Sequence, residues 1–138
     1  MKNENLRSDC PISMILDIIG DKWTMLIIRD IAYFNKHTFN EFLQSEEKMA
    51  SNILSDRLNK LETAGIIVKK QHPLSKAKIY YGLSKKGADL IPILFEMAIW
   101  SGKYLSVGKG AKPFIQAIKK DRVSVFKDIV KSHAIDLK

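Results

Sequence analysis

The chain has 138 residues, of which 46% are hydrophobic and 28% are charged, a balance that is typical of a globular domain and excludes the disordered and fibrous classes. Its formal net charge of +8 is compatible with a polyanionic partner. No apolar run reaches the roughly 18 residues that cross a bilayer, and the first residues lack the apolar centre of a signal peptide, so we expect a cytoplasmic protein without membrane contacts.

The N-terminal part of the sequence predicts two helices. Residues 11–19 place their apolar side chains on one helical face, and Gly20 follows as a natural stop. Residues 22–34 are apolar on nearly all sides, as in a central buried helix. We therefore expect a short first helix followed by the spine of the core.

Capping signals in residues 38–65 predict a second pair of helices. Thr38 and Glu41 have the spacing of a capping box and open a short helix that ends near residue 45. After the polar segment EEKM, Ser51 can cap a longer helix that reaches residue 64 and stops at Gly65. Two helices across a tight polar break predict a helix-turn-helix.

Two β-favouring runs, residues 66–71 and 78–83, predict a hairpin with a basic tip. The turn-like segment HPLSKA joins them, and alternation in the second run should point Ile79, Tyr81 and Leu83 inward. A hairpin after a helix-turn-helix forms a wing. The expected fold is therefore mainly α with a small β-hairpin wing, a winged helix-turn-helix.

A long helix should follow the hairpin, with Ser84 as its N-cap, an end near residue 104 and a kink at Pro92. It carries two apolar stripes, and a single small domain rarely covers both. The first stripe consists of Leu90, Ile93, Met97, Trp100 and Tyr104, and the second consists of Ile91, Leu94, Ala98, Ser101 and Leu105. We expect the second stripe to need a partner.

These stripes predict a homodimer that forms through the terminal helices. The expected interface residues are Ile91, Leu94, Ala98, Trp100 and Leu105. Beyond them, SVGKGAKP is a linker and Pro113 opens an amphipathic helical stretch. We assign residues 1–106 to a winged-helix and dimerisation domain and residues 107–138 to a linker with a helical extension.

Basic residues concentrate in the middle of the chain. Residues 57–86 hold eight lysine and arginine residues against one acid, Glu62. Charge alone is equally compatible with a solvated lysine-rich surface and with a polyanion site. Because this run covers the end of the fourth helix and the wing, we favour double-stranded DNA as the partner.

The fourth helix has a polar face that suits base recognition. Its leucines share one side, and polar residues lie opposite. Asn bonds bidentately to adenine, Ser bonds to several bases and Asp accepts from the cytosine amino group. The predicted DNA-binding residues are Ser51, Asn52, Ser55, Asp56, Arg57, Asn59 and Lys60 on this helix, with Lys69, Lys70, Lys76 and Lys78 on the wing and its flanks. Arg57 lies at the edge of the apolar side and could equally pair with an internal acid such as Asp30.

Several segments of the sequence resemble the HxlR-type winged-helix regulators, distant relatives of the MarR group. The matching segments are Cys10-Pro11, GDKWTMLIIRDI at residues 20–31, TFNEF at 38–42, ILSDRLNKLETAGII at 53–67 and YGLSKKG at 81–87, together with Trp100. They cover about residues 10–105, and the tail beyond Gly108 lies outside the shared pattern. The resemblance implies a cytoplasmic dimer on a partly palindromic operator, with dimer contacts from the terminal helices.

Cys10 is the one residue for which the resemblance implies redox chemistry. Several relatives sense oxidants or electrophiles through a cysteine just before proline at this place. A sensing thiol needs exposure and a lowered pKa, which nearby Arg7 and the start of the first helix would favour and Asp9 would oppose. The alternative is a small apolar residue that packs under the dimer helix.

Other classes of function have less support. No Gly-rich phosphate loop, paired-carboxylate motif or Ser/His/Asp arrangement is visible, so we expect no enzyme. The single cysteine and three histidines lack metal-ligand spacing, so we expect neither a metal nor a cofactor, and the effector stays open. A winged helix that binds RNA or protein without an operator is the main alternative, although A-form RNA hides its major groove from side chains.

Overall fold

The computed structural model describes residues 7–132, which form seven helices and one antiparallel hairpin. In chain order these are α1 (Pro11–Ile19), α2 (Thr24–Ala32), α3 (Phe39–Leu43), α4 (Ser51–Thr63), β1 (Ile67–His72), β2 (Ser75–Leu83), α5 (Lys85–Ala88), α6 (Ile91–Tyr104) and α7 (Ala111–Ser132). This order confirms the predicted winged helix-turn-helix. No helix in this part of the chain is long and apolar enough to cross a membrane. Residues 133–138 of the predicted extension lie outside the described range.

The core forms around α2, as the sequence predicts. Ile27, Ile28 and Ile31 of this helix are fully buried. Phe42 of α3 and the leucines of α4 pack into the same cluster. Because burial of one large aliphatic side chain contributes about 1.5–3 kcal/mol, this cluster is the main source of the fold's stability.

The capping predictions for the helix pair are partly confirmed. The Thr38 hydroxyl accepts from the Glu41 backbone N–H, and the Glu41 carboxylate accepts from the Thr38 N–H, so the capping box is present. The prediction that Ser51 caps α4 was wrong. Ala50 holds the N-cap position with an extended backbone, and Ser51 is the first residue of the helix. Gly65 ends the helix with φ +76°, a conformation that favours glycine.

The wing is longer and more exposed than predicted. β2 begins at Ser75, which pairs with His72, so the connection is shorter than the predicted segment HPLSKA. Tyr81 and Leu83 point into the core as expected. The inward prediction for Ile79 was wrong, because its side chain is 44% exposed. The outer half of the hairpin extends beyond the core, so both faces of the strand are exposed there and the alternation of side chains does not bury either one.

The predicted long helix with a kink at Pro92 is two separate helices. Ser84 caps the short helix α5, and α6 begins at Ile91 with Pro92 in its first turn. Pro92 fits there because the first turn needs no donor from its nitrogen. Gly87 holds α5 against the sheet, since a Cβ at this position would lie 2.1 Å from the Ile66 carbonyl oxygen.

The C-terminal helix α7 folds back onto α6. The second apolar stripe of α6, which we expected to need a partner, is therefore partly buried, and the first stripe is largely exposed. Ile91 and Leu94 of the second stripe are buried within the protomer. Trp100 and Tyr104 of the first stripe are exposed. Within α7, the backbone leaves helical geometry at Asp121, where φ is −158° and ψ is 83°.

Candidate DNA interface

The polar face of α4 is open to solvent. Its leucines are buried, and the opposite face is exposed at Ser51, Asn52, Ser55, Asp56, Asn59 and Lys60. The angular sorting of this helix is therefore as predicted. An exposed face of amide, hydroxyl and carboxylate groups can donate to and accept from base edges. The assignment of these six residues to DNA binding stays a prediction.

Arg57 is bound to an acid within the protein. Its Nε donates to Asp21 Oδ2 at 2.8 Å, and its Nη1 donates to Asp56. Asp30, named in the sequence analysis as a possible partner, is not the acid concerned. Because the Arg57 side chain is only 20% exposed, we infer that it orients α4 more than it contacts DNA.

Asp21 connects α4 to the start of α2. Its carboxylate accepts from the backbone N–H groups of Trp23 at 3.0 Å and Thr24 at 3.1 Å, so it caps α2 while it binds Arg57. Burial alone would raise the pKa of Asp21, but the hydrogen bonds from Thr24 and Arg57 outweigh it and lower the pKa to about 2. Asp21 is therefore ionised over the whole physiological pH range.

Asp56 retains a free acceptor despite its ion pairs. Both Arg57 and Lys60 contact its Oδ2, with Lys60 Nζ at 3.3 Å. No contact within residues 7–132 is formed at Oδ1. The hydrogen bond from Lys60 lowers the pKa of Asp56, so the group is a carboxylate that accepts only. That oxygen can accept from a cytosine amino group.

A partly buried ionic network holds the turn before α4 against α2. Arg29 donates to both carboxylate oxygens of Glu47, at 2.8 and 2.9 Å, and to Asp30 at 2.7 Å. The Ser45 hydroxyl donates to the second oxygen of Asp30. This network was not predicted from the sequence. The charged pair Arg29-Asp30 inside an apolar helix indicates such a network, because buried charges require partners.

His37 anchors the wing to the loop between α2 and α3. Its carbonyl accepts from the Tyr81 N–H at 2.7 Å, and its Nδ1 lies 2.9 Å from the Tyr81 carbonyl oxygen. The imidazole stacks on the Tyr80 ring with centroids 4.4 Å apart. Sequence reasoning gave His37 no role, since no local pattern links it to residues 44 positions later.

The wing presents its lysines on an irregular outer strand. Residues 76–78 lie between the pairs His72–Ser75 and Gln71–Ile79, so β2 bulges there. The four predicted wing residues Lys69, Lys70, Lys76 and Lys78 are all exposed. Lys86 belongs to the same basic run but donates to the Ala64 carbonyl at 2.7 Å, which caps the end of α4.

Cys10 is exposed at the N-cap position of α1. The backbone N–H groups of Ser13 and Ile12 lower the pKa of its thiol. The prediction that Arg7 assists was wrong, because Arg7 forms a salt bridge with Asp17 at 2.8 Å. The helix N-terminus is therefore the feature that favours thiolate.

Two helices of the winged-helix region, α1 and α6, expose large apolar side chains. The large exposed apolar side chains there are Ile12, Met14, Leu16 and Ile18 around α1, with Met97, Trp100, Tyr104 and Leu105 on α6 and at its end. Of the predicted dimer residues, Trp100 and Leu105 are 57% and 58% exposed. Ala98 is half-buried, and Ile91 and Leu94 face the protomer's own core.

Comparison with known proteins places this geometry in a family. Residues 18–109 match the family model of the HxlR-like helix-turn-helix. The HTH-type transcriptional regulator BH0655 of Halalkalibacterium halodurans is 34% identical over 95 residues, which are 69% of this chain and 84% of that protein.

Two solved structures extend the similarity to three dimensions. The candidate transcription factor PA1607 shares 34% identity with a TM-score of 0.67 over 78% of this chain and 73% of its own. The redox regulator HypR, in its oxidised form, shares 29% identity with a TM-score of 0.62 over 71% of this chain and all of its own. The chain therefore belongs to the HxlR-like helix-turn-helix family of transcriptional regulators.

Proposed function

We propose that this protein regulates transcription by binding an operator in double-stranded DNA as a homodimer. The observation that carries the proposal is the exposed polar face of α4 beside a wing with four exposed lysines. In this arrangement α4 enters the major groove and the wing contacts the phosphate backbone. Because operator binding requires access to chromosomal DNA, a cytoplasmic location remains our prediction. We also still expect no enzymatic activity.

The residues divide into two groups by the contact that each side chain can make. Asn52, Ser55 and Asn59 carry donors and acceptors that read base edges. Lys76 and Lys78 carry positive charges on flexible side chains, which bind phosphates without regard to sequence. Base contacts should therefore determine preference, and lysine contacts should determine affinity and its salt dependence.

Dimerisation is supported by the apolar surface of α1 and α6. A surface with Ile12 at 69% exposure and Trp100 at 57% exposure is costly for a monomer in water. A two-fold contact through this surface would present two copies of α4 to one face of DNA. Half-sites would then lie about 10 base pairs apart, centre to centre, or a multiple of that spacing.

The test starts with selection of bound duplexes from a random pool, followed by titration of the selected duplex at several salt concentrations. Asn52→Ala should reduce the preference for the selected sequence by about 1–3 kcal/mol. Lys78→Ala should weaken binding to all duplexes alike and lower the salt slope by about one. Lys127→Ala is the matched control, since it removes an exposed lysine of α7.

Three results would contradict the proposal. The first is an absence of any enriched duplex, and the second is equal behaviour of Lys78→Ala and Lys127→Ala. The third is preferential binding of a duplex RNA competitor, which would favour the alternative of an RNA-binding winged helix. A monomeric mass by light scattering at micromolar concentration would contradict the dimer.

We also propose that Cys10 makes operator binding sensitive to oxidants. The thiol is exposed with a lowered pKa, and the similar protein HypR is a redox regulator. Diamide would convert two thiols to a disulfide, either between two copies of Cys10 or between Cys10 and a small thiol. Operator affinity of the wild type should shift about 5–150-fold and return after reduction, whereas Cys10→Ser should not respond. An unresponsive wild type would leave Cys10 as a packing residue.

A further inference from the structure

A cavity of about 880 Å³ lies between the end of α2, the middle of α6 and both halves of α7. Small-molecule sites in proteins have volumes of about 300–1,000 Å³ and mostly apolar walls. Aromatic rings of Tyr33, Phe34 and Phe114 contribute to the wall, and the Tyr33 and Phe114 rings meet edge to face with centroids 4.7 Å apart. The cavity is therefore large enough and apolar enough for an organic molecule.

Two polar groups in this wall have no partner of their own. The Tyr33 hydroxyl is buried, and no atom of residues 7–132 hydrogen-bonds to it. Such a group costs about 1–3 kcal/mol. Asp128 is the one charged residue among those described that line the cavity, and it forms no salt bridge within the same range. Burial raises the pKa of Tyr33, so its hydroxyl is a neutral donor at pH 7.

We propose that the cavity binds a small amphipathic organic cation with an aromatic body and one protonated amine. The amine would pair with the Asp128 carboxylate, and charge-assisted hydrogen bonds of this kind are the strong ones. The rings of Tyr33 and Phe114 would pack against the aromatic body.

The geometry of α6 argues against a second copy of the chain as the occupant. Ala98 lines the cavity. At 100° per residue, Trp100 lies about 200° from Ala98 around the helix, and Tyr104 lies about 240° from it. The face proposed for dimerisation therefore points away from the cavity. The cavity is also separate from α4 and the wing, so ligand binding can be measured without DNA.

Rhodamine 6G, a fluorescent planar cation, is a suitable probe, and fluorescence anisotropy measures its binding to the full-length protein. We expect saturable binding of one dye per protomer. Asp128→Asn should weaken it at least fivefold, and Ala98→Phe, which places an aromatic ring in the cavity, should also weaken it. Asp89→Asn is the matched control, because it removes an exposed carboxylate outside the cavity and should leave dye affinity unchanged. Fluorescein, which has a similar ring system and a negative charge, should not bind.

Several outcomes would overturn the inference. These are no saturable binding of the dye, equal affinity in Asp128→Asn and the wild type, or tight binding of fluorescein. If Ala98→Phe changed the sedimentation behaviour and left dye binding intact, a second copy would be the occupant. Far-UV circular dichroism of the same variants would show whether they are folded, independently of DNA binding. Dye binding by a protein that selects no duplex would support the cavity and contradict only the proposed function.

Discussion

The α2–α4 region and the α6–α7 region differ in how completely their polar and apolar side chains find partners within the protomer. In the first, buried charges are matched, as in the contacts of Arg29 with Glu47 and Asp30. In the second, the buried hydroxyl of Tyr33, which the end of α2 packs against Phe114 of α7, has no partner among the described residues, and Trp100 of α6 lies exposed. A region whose groups satisfy each other has a fixed geometry, which a recognition helix requires. A region with unsatisfied groups is suited to bind a ligand or another subunit.

The largest expected effect comes from a break in the α2 network. Arg29→Ala should lower the free energy of unfolding by about 3 kcal/mol, because it leaves the buried Asp30 carboxylate without its cation. Urea denaturation measures this change. Arg7→Ala removes an exposed salt bridge and should cost less than about 0.5 kcal/mol. Equal losses in the two variants would contradict the rigid-frame interpretation of α2–α4.

Acid should weaken the same region. The pKa of Asp21 is about 2, as is that of Glu47, where the hydrogen bond from Arg29 is the largest cause. A carboxylate with a depressed pKa stabilises the fold above its unfolded pKa of about 4, and this contribution disappears as the pH falls towards 2. After allowance for solvent screening, we expect a loss of about 1–2 kcal/mol over that interval.

The double variant Asp21→Asn, Glu47→Gln isolates these two groups. Its stability should be lower than that of the wild type at pH 7 and should fall less between pH 4 and pH 2. Thermal unfolding monitored by circular dichroism at each pH measures the difference. Parallel pH curves for the two proteins would show that other carboxylates control acid unfolding.

Where the end of α2 meets α7, removal of a polar group should improve stability. Tyr33→Phe deletes the unpartnered hydroxyl and should raise the free energy of unfolding by about 1 kcal/mol. Tyr104→Phe, at an exposed position, should change it by less than about 0.5 kcal/mol. A destabilised Tyr33→Phe protein would mean that the hydroxyl has a partner after all.

The smallest effect belongs to the wing. Lys76→Ala and Lys78→Ala should each change the stability by less than about 0.5 kcal/mol, since both side chains are exposed on the bulged strand. The same variants should weaken DNA binding. A large loss of stability in either variant would show that the wing lysines hold the hairpin together, and their effect on DNA would then have another cause.

The sequence was sufficient to predict features that depend on neighbours in the chain. The capping box of Thr38 and Glu41, the stop at Gly65 and the polar face of α4 rest on local spacing. Ser84 as a cap was also local, but the length of the helix after it was not. That helix ends at Ala88, and its Gly87 packs against the Ile66 carbonyl, a contact that no local pattern reveals.

Features that depend on distant parts of the chain could not be predicted. Arg57 pairs with Asp21 and not Asp30, which requires the relative position of α2 and α4. The exposed stripe of α6 is set by the return of α7, so the sequence pattern showed that two stripes exist and could not tell which one stays open. The cavity likewise needs three helices in place before its volume exists.

Helix α2 lies between the cavity and the contact with α4, so a movement at one of its ends would be transmitted to the other. The nine residues of α2 make a rod about 13 Å long, with Asp21 before its first turn and Tyr33 at its end. If this rod pivots by about 5° at the Tyr33 end, its other end moves by about 1 Å. Arg57 is bound there, so α4 would shift with it. Since hydrogen bonds to base edges span a range of only about 0.5 Å, such a rotation is enough to change operator affinity.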